Sequence, residues 1–168
     1  RYLYPYLDLA ERKTFPKKIW QALKEYYPDL TLREVKRASD CAYESYHRQR
    51  EQVKEEGRKA LEFARQKGLK TIILCGRPYH VDPEINHGIN QLIASYGMVV
   101  VSEDAVWNLV EKPEVHVLNQ WTYHSRMYSA ANFVVHKENA QLIQLVSFGC
   151  GIDAITTDEI RAIIEAGD

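Results

Sequence analysis

The chain has 168 residues, 45% hydrophobic and 27% charged, and its 22 basic side chains nearly balance 23 acidic ones for a net charge of -1. That length and apolar share suit a compact fold with a genuine core, and the charge balance leaves no basic excess to follow a phosphate backbone or an anionic bilayer, so neither nucleic acid nor membrane is expected as a partner. No apolar run approaches the roughly 20 residues of a bilayer span.

The chain opens on Arg1-Tyr2-Leu3-Tyr4-Pro5, which lacks the basic and apolar regions of a signal peptide and resembles a strap between domains, as in a piece of a longer protein. Residues 15 to 27 carry Phe15, Ile19, Leu23 and Tyr26 at helical spacing and end at Pro28-Asp29. Thr31-Leu32-Arg33-Glu34 has the form of a capping box, and a charged helix with a thin apolar stripe (Val35, Ala38, Ala42, Val53, Ala60, Leu61, Ala64) follows it to about Gln66.

After Gly68 the pattern changes to short apolar runs separated by helices. Residues 71–75, 98–101 and 142–146 read as buried parallel strands. Asp82-Pro83-Glu84 caps a helix that Gly97 ends. Val117, Trp121, Tyr128, Ala131 and Val135 mark a second helix, and Thr156-Thr157-Asp158-Glu159 caps a third. The expected architecture is α/β: a small parallel Rossmann-like (flavodoxin-like) sheet with flanking helices over 68–168, preceded by a helical segment over 1–67. The fold is not expected to contain internal repeats.

Ligands of open parallel sheets bind beyond the carboxyl ends of the strands, where loops meet helix amino termini. Three loops should share that rim: Cys75-Gly76-Arg77-Pro78-Tyr79-His80, Ser102-Glu103-Asp104 and Ser147-Phe148-Gly149-Cys150-Gly151. Cys150, between two glycines near a helix start, reads as a small side chain in a turn, a cluster or metal ligand, or a nucleophile. Cys75 closes a strand and faces either the core or the rim, while Cys41 in the charged helix reads as structural. Arg77, between glycine and proline, suits recognition of a carboxylate or phosphate, or a structural salt bridge. His80, Asp82 and His87 match no established zinc spacing; Asp82 reads as a cap and the two histidines as part of a polar face. The polar aromatics from Trp121 to Tyr128 read as core or as an interface, with His124 and Arg126 on the wet side, and they leave room for an oligomer. Neither a phosphate-loop nor a dinucleotide glycine motif is present. With an odd number of scattered cysteines, a reducing, cytoplasmic setting is expected.

The stretches LCGRPYHVDPEINHGI (74–89), QWTYHSRMYSAANFVV (120–135) and QLVSFGCGIDAITTDEIRAIIE (144–165) resemble the large activator-related proteins of the 2-hydroxyglutaryl-CoA dehydratase and benzoyl-CoA reductase systems. The long Lys/Glu-rich helix before them fits the same proteins. The resemblance implies a multidomain parent in which ATP is handled by other domains, and a partner of the acyl-CoA dehydratase type. It implies low-potential electron transfer through a 4Fe–4S cluster, to which this chain brings an incomplete ligand set, Cys150 with or without Cys75. Arg77 and His80 are then the expected substrate or anion contacts.

Overall fold

The computed structural model describes residues 2–147 and 149–167. Phe148, expected in the third rim loop, lies outside the described residues, as do Arg1 and Asp168, the ends of the two expected segments. The chain divides into two compact units, 1–51 and 52–168.

In the first unit, α1 (Phe15–Leu23) starts with Pro16, whose missing N–H costs nothing at a helix start. It is shorter than the sequence pattern because the amides of Tyr26 and Tyr27 both turn back onto the Leu23 carbonyl. The Phe15 ring meets Tyr43 edge-on at 5.7 Å, and Trp20 Nε1–H donates to the Leu30 carbonyl at 2.8 Å. The capping box forms: Thr31 N–H donates to Glu34 Oε2 at 2.9 Å, and Glu34 N–H to Thr31 Oγ1 at 3.3 Å. It opens α2 (Leu32–Lys67), which crosses the divide between the units. Cys41 is exposed on it.

The second unit is built on three parallel strands, β1 (Thr71–Cys75), β2 (Val99–Ser102) and β3 (Ala140–Gln144), in the order β2-β1-β3. Parallel pairing requires crossovers, and they supply the helices. Between β1 and β2 lie a 3-10 turn (Pro78–Val81), α3 (Pro83–Asn86) and α4 (Ile89–Ser95). Between β2 and β3 lie α5 (Glu103–Val106) and α6 (Thr122–Val135), and α7 (Gly151–Glu165) follows β3.

Successive residues of β1 face opposite ways. Ile72 and Leu74 pack with Ile93 of α4, whereas Ile73 and Cys75 pack with Val106, Met127, Ala131, Phe133 and Ile160 of α5, α6 and α7. The larger core also takes Val53, Ala60 and Leu61 from the second half of α2. Gly57 lets that helix lie close, since a methyl group there would stand 2.5 Å from the Ala105 Cβ. Among the described residues no helix is long and apolar enough to cross a membrane.

The helix expected over 83–96 is broken. His87 and Gly88 both take left-handed backbone angles, at φ 51° and 78°, which interrupts the turn-to-turn hydrogen bonding and leaves α3 a single turn. The segment between β2 and α6 is irregular after α5, and α6 begins at Thr122, although Val117 already continues the helical spacing. β3 pairs over 140–144 rather than 142–146, in register with Thr71 to Cys75. The apolar run outlasts the ladder because Leu145 packs beside Ile72 and Leu74. α7 starts five residues before the expected cap: Thr156 and Thr157 sit inside it, their hydroxyls donating back to the carbonyls of Ile152 and Asp153 at 2.8 and 2.7 Å.

Candidate functional site

The helices leaving β1 and β3 depart to opposite faces of the sheet, α4 to one and α7 to the other. At such a reversal the two loops diverge and open a crevice outside the carboxyl ends of the adjacent strands. The sequence-predicted residues Arg77, His80 and Cys150 stand at this crevice.

Arg77 bridges it. Its Nη2–H reaches Cys150 Sγ at 2.9 Å, and Nε and Nη2 both donate to Asp153 Oδ1, at 3.0 and 2.9 Å. Asp153 Oδ2 accepts the Ser147 N–H at 2.7 Å. Burial pushes the Asp153 carboxyl up, but the Ser147 amide and the Arg77 guanidinium outweigh it and hold the carboxyl below its ordinary range. The residue is therefore a carboxylate that ties the start of α7 to both loops. Tyr79 and Ser147 add a second link across the crevice through their hydroxyls.

His80 is buried, its Nδ1 accepting the Arg77 N–H at 2.9 Å while Asn86 Nδ2–H donates to its carbonyl at 3.0 Å. Burial lowers its pKa. The polar setting expected for His80 is a buried one shared with Asn86, and the absence of a side chain at Gly76 leaves the hollow into which its ring folds. A methyl group at Gly76 would lie 2.4 Å from His80 Nδ1. Gly76→Ala is therefore expected to evict the ring and cost about 1–3 kcal/mol of stability in urea titrations. The His80 imidazole should then titrate closer to its ordinary pKa in NMR spectra.

Cys75 is only 1% exposed, on the core side of β1, and burial together with the nearby Glu103 carboxyl raises its thiol pKa well above the ordinary value. It stays protonated at neutral pH. A 4Fe–4S cluster is held by four cysteine thiolates. Among the described residues no group of three or more His, Cys, Asp or Glu side chains is placed to hold a metal. With Cys75 enclosed and Cys150 against Arg77, the residues of this chain do not fit a cluster of their own.

Cys150 is partly exposed and lies beside Arg77. His80 Nδ1 is engaged with the Arg77 amide, and no hydrogen bond joins His80 to Cys150 among the described residues, as a Cys–His catalytic pair would require.

α6 departs from the wet-side expectation. His124 is buried at 7% exposure, and the Arg126 side chain is 16% exposed beside Glu103. Arg126 turns inward toward Glu103, and the His124 ring lies against Trp121. Trp121 and Tyr123 remain about half exposed, whereas Tyr128 is core. Sequence reasoning missed Asp153, whose signal was its place three residues after Cys150 in the first turn of a helix. It also missed the inward seat of Glu103, for which alternation along β2 gave no sign.

A cavity of about 520 Å³, lined in part by Arg58, Leu61, Thr71, Phe133 and Asn139, opens at the amino ends of the strands and carries none of these residues.

A family model described as "CoA enzyme activase uncharacterised domain" matches residues 1–106, well over half of the chain. The matched stretch includes Cys75, Arg77 and His80. No curated protein and no solved structure matches the chain.

Proposed function

The chain belongs to the CoA enzyme activase uncharacterised domain family, and from that membership we propose that it is a module of an ATP-dependent activator-related protein of 2-hydroxyacyl-CoA dehydratases. Its β1/β3 edge contributes to a substrate or cofactor site completed by other domains of the polypeptide, which also carry the ATPase, and this site serves low-potential electron transfer to the dehydratase partner. The observation that supports this reading is the junction of Arg77, Cys150 and Asp153 across the crevice. A thiol kept at a strand-end cleft by a guanidinium is placed for contact with another group, whereas a thiol buried among apolar neighbours would favour a scaffold.

In this reading Cys150 is the group offered at the edge, Arg77 sets its position and supplies positive charge, and Asp153 fixes Arg77. The test is Cys150→Ser in the whole polypeptide, assayed for activation of its dehydratase partner and for iron and acid-labile sulfide after anaerobic reconstitution. Activation is expected to fall by about tenfold or more, with the fold intact by circular dichroism. A parallel loss of iron and sulfide would make Cys150 one ligand of a cluster shared between domains. Unchanged activation would overturn the edge reading and shift the weight to a scaffold that binds partners through the exposed Trp121 and Tyr123 rings.

A further inference from the structure

We propose that the amino end of α6, with the His124 ring, binds a phosphoryl group at the rim of the sheet. α6 is a 14-residue helix whose N-cap is Trp121, a residue with no side-chain acceptor; it receives no side-chain cap, and its first turn contains no acidic residue. A helix start of this kind directs unsatisfied N–H groups and the positive end of its dipole outward, the combination that holds phosphates.

The second observation is independent of the helix end. His124 sits in the first turn of α6, more than nine-tenths buried, and neither ring nitrogen has a hydrogen-bond partner. Buried polar atoms are nearly always paired, because an unmade bond there forfeits the hydration that was given up. The ring packs against Trp121 with centroids 5.1 Å apart, and it lies near enough to Arg77 and Asp153 for both to affect its titration. Burial first, and Arg77 second, lower its pKa, so at neutral pH it offers one N–H donor and one lone pair.

The charged groups around it are Arg77 and Asp153, and they are already committed to each other. Asp153 gives one oxygen to Arg77 and the other to the Ser147 amide. α7, whose N-cap Cys150 gives no side-chain cap, begins on the same rim and adds a second helix amino end. An incoming anion therefore meets a balanced ion pair, two helix starts and a neutral imidazole that lacks a partner. A phosphoryl oxygen can accept the ring N–H and first-turn amides together, whether it belongs to free phosphate or to a phosphate ester.

The inference rests on the reading of this rim as the working edge, and its test is separate. The chain would be followed by ¹H–¹⁵N NMR during titration with inorganic phosphate and, in a second series, with glycerol phosphate, each to about 10 mM, enough to nearly fill a site of about 1 mM affinity. Saturable shifts are expected at the amides of residues 122–124, with an upward shift of the His124 pKa, since an anion on the ring favours its charged form. The amide shifts should vanish in His124→Ala. They should also vanish in Trp121→Asp, which caps α6 with a carboxylate and so blocks the site while supporting the fold. The edge reading is tested by dehydratase activation in the whole polypeptide, a readout this titration does not share, so failure of the edge reading and failure of this one are told apart. A response to the ester alone would identify an organic phosphate as the ligand. No saturable shift with either probe, or shifts that survive both α6 variants, would overturn the proposal.

Discussion

Glu103 is expected to make the fold lose stability as pH rises from 4.5 to 7, and Glu103→Gln is expected to remove that contribution. Glu103 opens α5 directly after β2 and is buried. Its only cationic neighbour among the described ion pairs, Arg126, stands at 3.5 Å, too far for a strong charge-assisted bond, and the Arg126 Nε is itself without a partner. Burial raises the carboxyl pKa, Arg126 pulls it down, Asp104 adds to the rise, and the result is about 7 against an ordinary 4.5. The unfolded chain gives up this proton near 4.5 while the folded chain keeps it to about 7. Over that window the folded state binds more protons, so this contribution is fully present below 4.5, shrinks as pH rises and levels off above 7. A shift of that size corresponds to about 3 kcal/mol. Glutamine keeps the shape and cannot ionise. Urea titrations at pH 4.5, 6 and 8 should give nearly equal stabilities at the acid end and a variant more stable by about 2–3 kcal/mol at pH 8. Parallel profiles for the two proteins would refute the assignment.

The contrast between Glu103 and Asp153 shows which parts of the site were legible in the sequence. Both are acids in the first turn of a helix at the strand-end rim, yet Asp153 is held ionised by an arginine 76 residues away, while Glu103 faces the core with a distant partner. Those opposite fates depend on which loops the crossovers bring together, and no local pattern encodes that. β1 was legible, because a parallel strand buried on both faces must be continuously apolar, whereas β3, with Gln141 and Ile143 exposed, was placed two residues late. So was the capping box at Thr31 and Glu34, which is a contact between residues three apart. That the loops after β1 and β3 meet, so that Arg77 reaches Cys150, followed from the alternation of strands and helices, whereas the turn of Cys75 away from that rim into the core did not. The start of α7 was misread because Thr156 and Thr157 have the chemistry of caps, whereas the true N-cap, Cys150, has almost none. The inward turn of His124 escaped for a related reason. Trp121, Thr122 and Tyr123 stay exposed while His124 beside them is buried, so which side of a helix start faces inward is set by packing and not by local pattern.

Removal of the Asp153 carboxylate is the largest loss expected at the rim. The side chain is 5% exposed and receives three hydrogen bonds, two from Arg77 and one from the Ser147 amide. Asp153→Ala leaves the guanidinium without its counter-charge and the amide without its acceptor. Breaking a fully buried ion pair costs about 3–5 kcal/mol and breaking an exposed one under about 1. Because Arg77 keeps 26% of its side chain in water, a loss of about 2–4 kcal/mol is expected in urea titrations at pH 7. Asp153→Asn keeps an oxygen for the Ser147 amide and should lose less. The acid profile runs opposite to that of Glu103. A carboxyl held below its ordinary 3.8 stabilises the fold above that value and ceases to do so as pH falls through the lowered pKa, so wild type and variant should converge in strong acid. Hydrogen exchange gives a local check: the Ser147 amide should exchange slowly in wild type and faster in Asp153→Ala than in Asp153→Asn. A loss below about 0.5 kcal/mol with Ser147 protection unchanged would mean that the crevice is held closed by the Tyr79–Ser147 link instead, and that Arg77 is free to leave Cys150 for an incoming ligand.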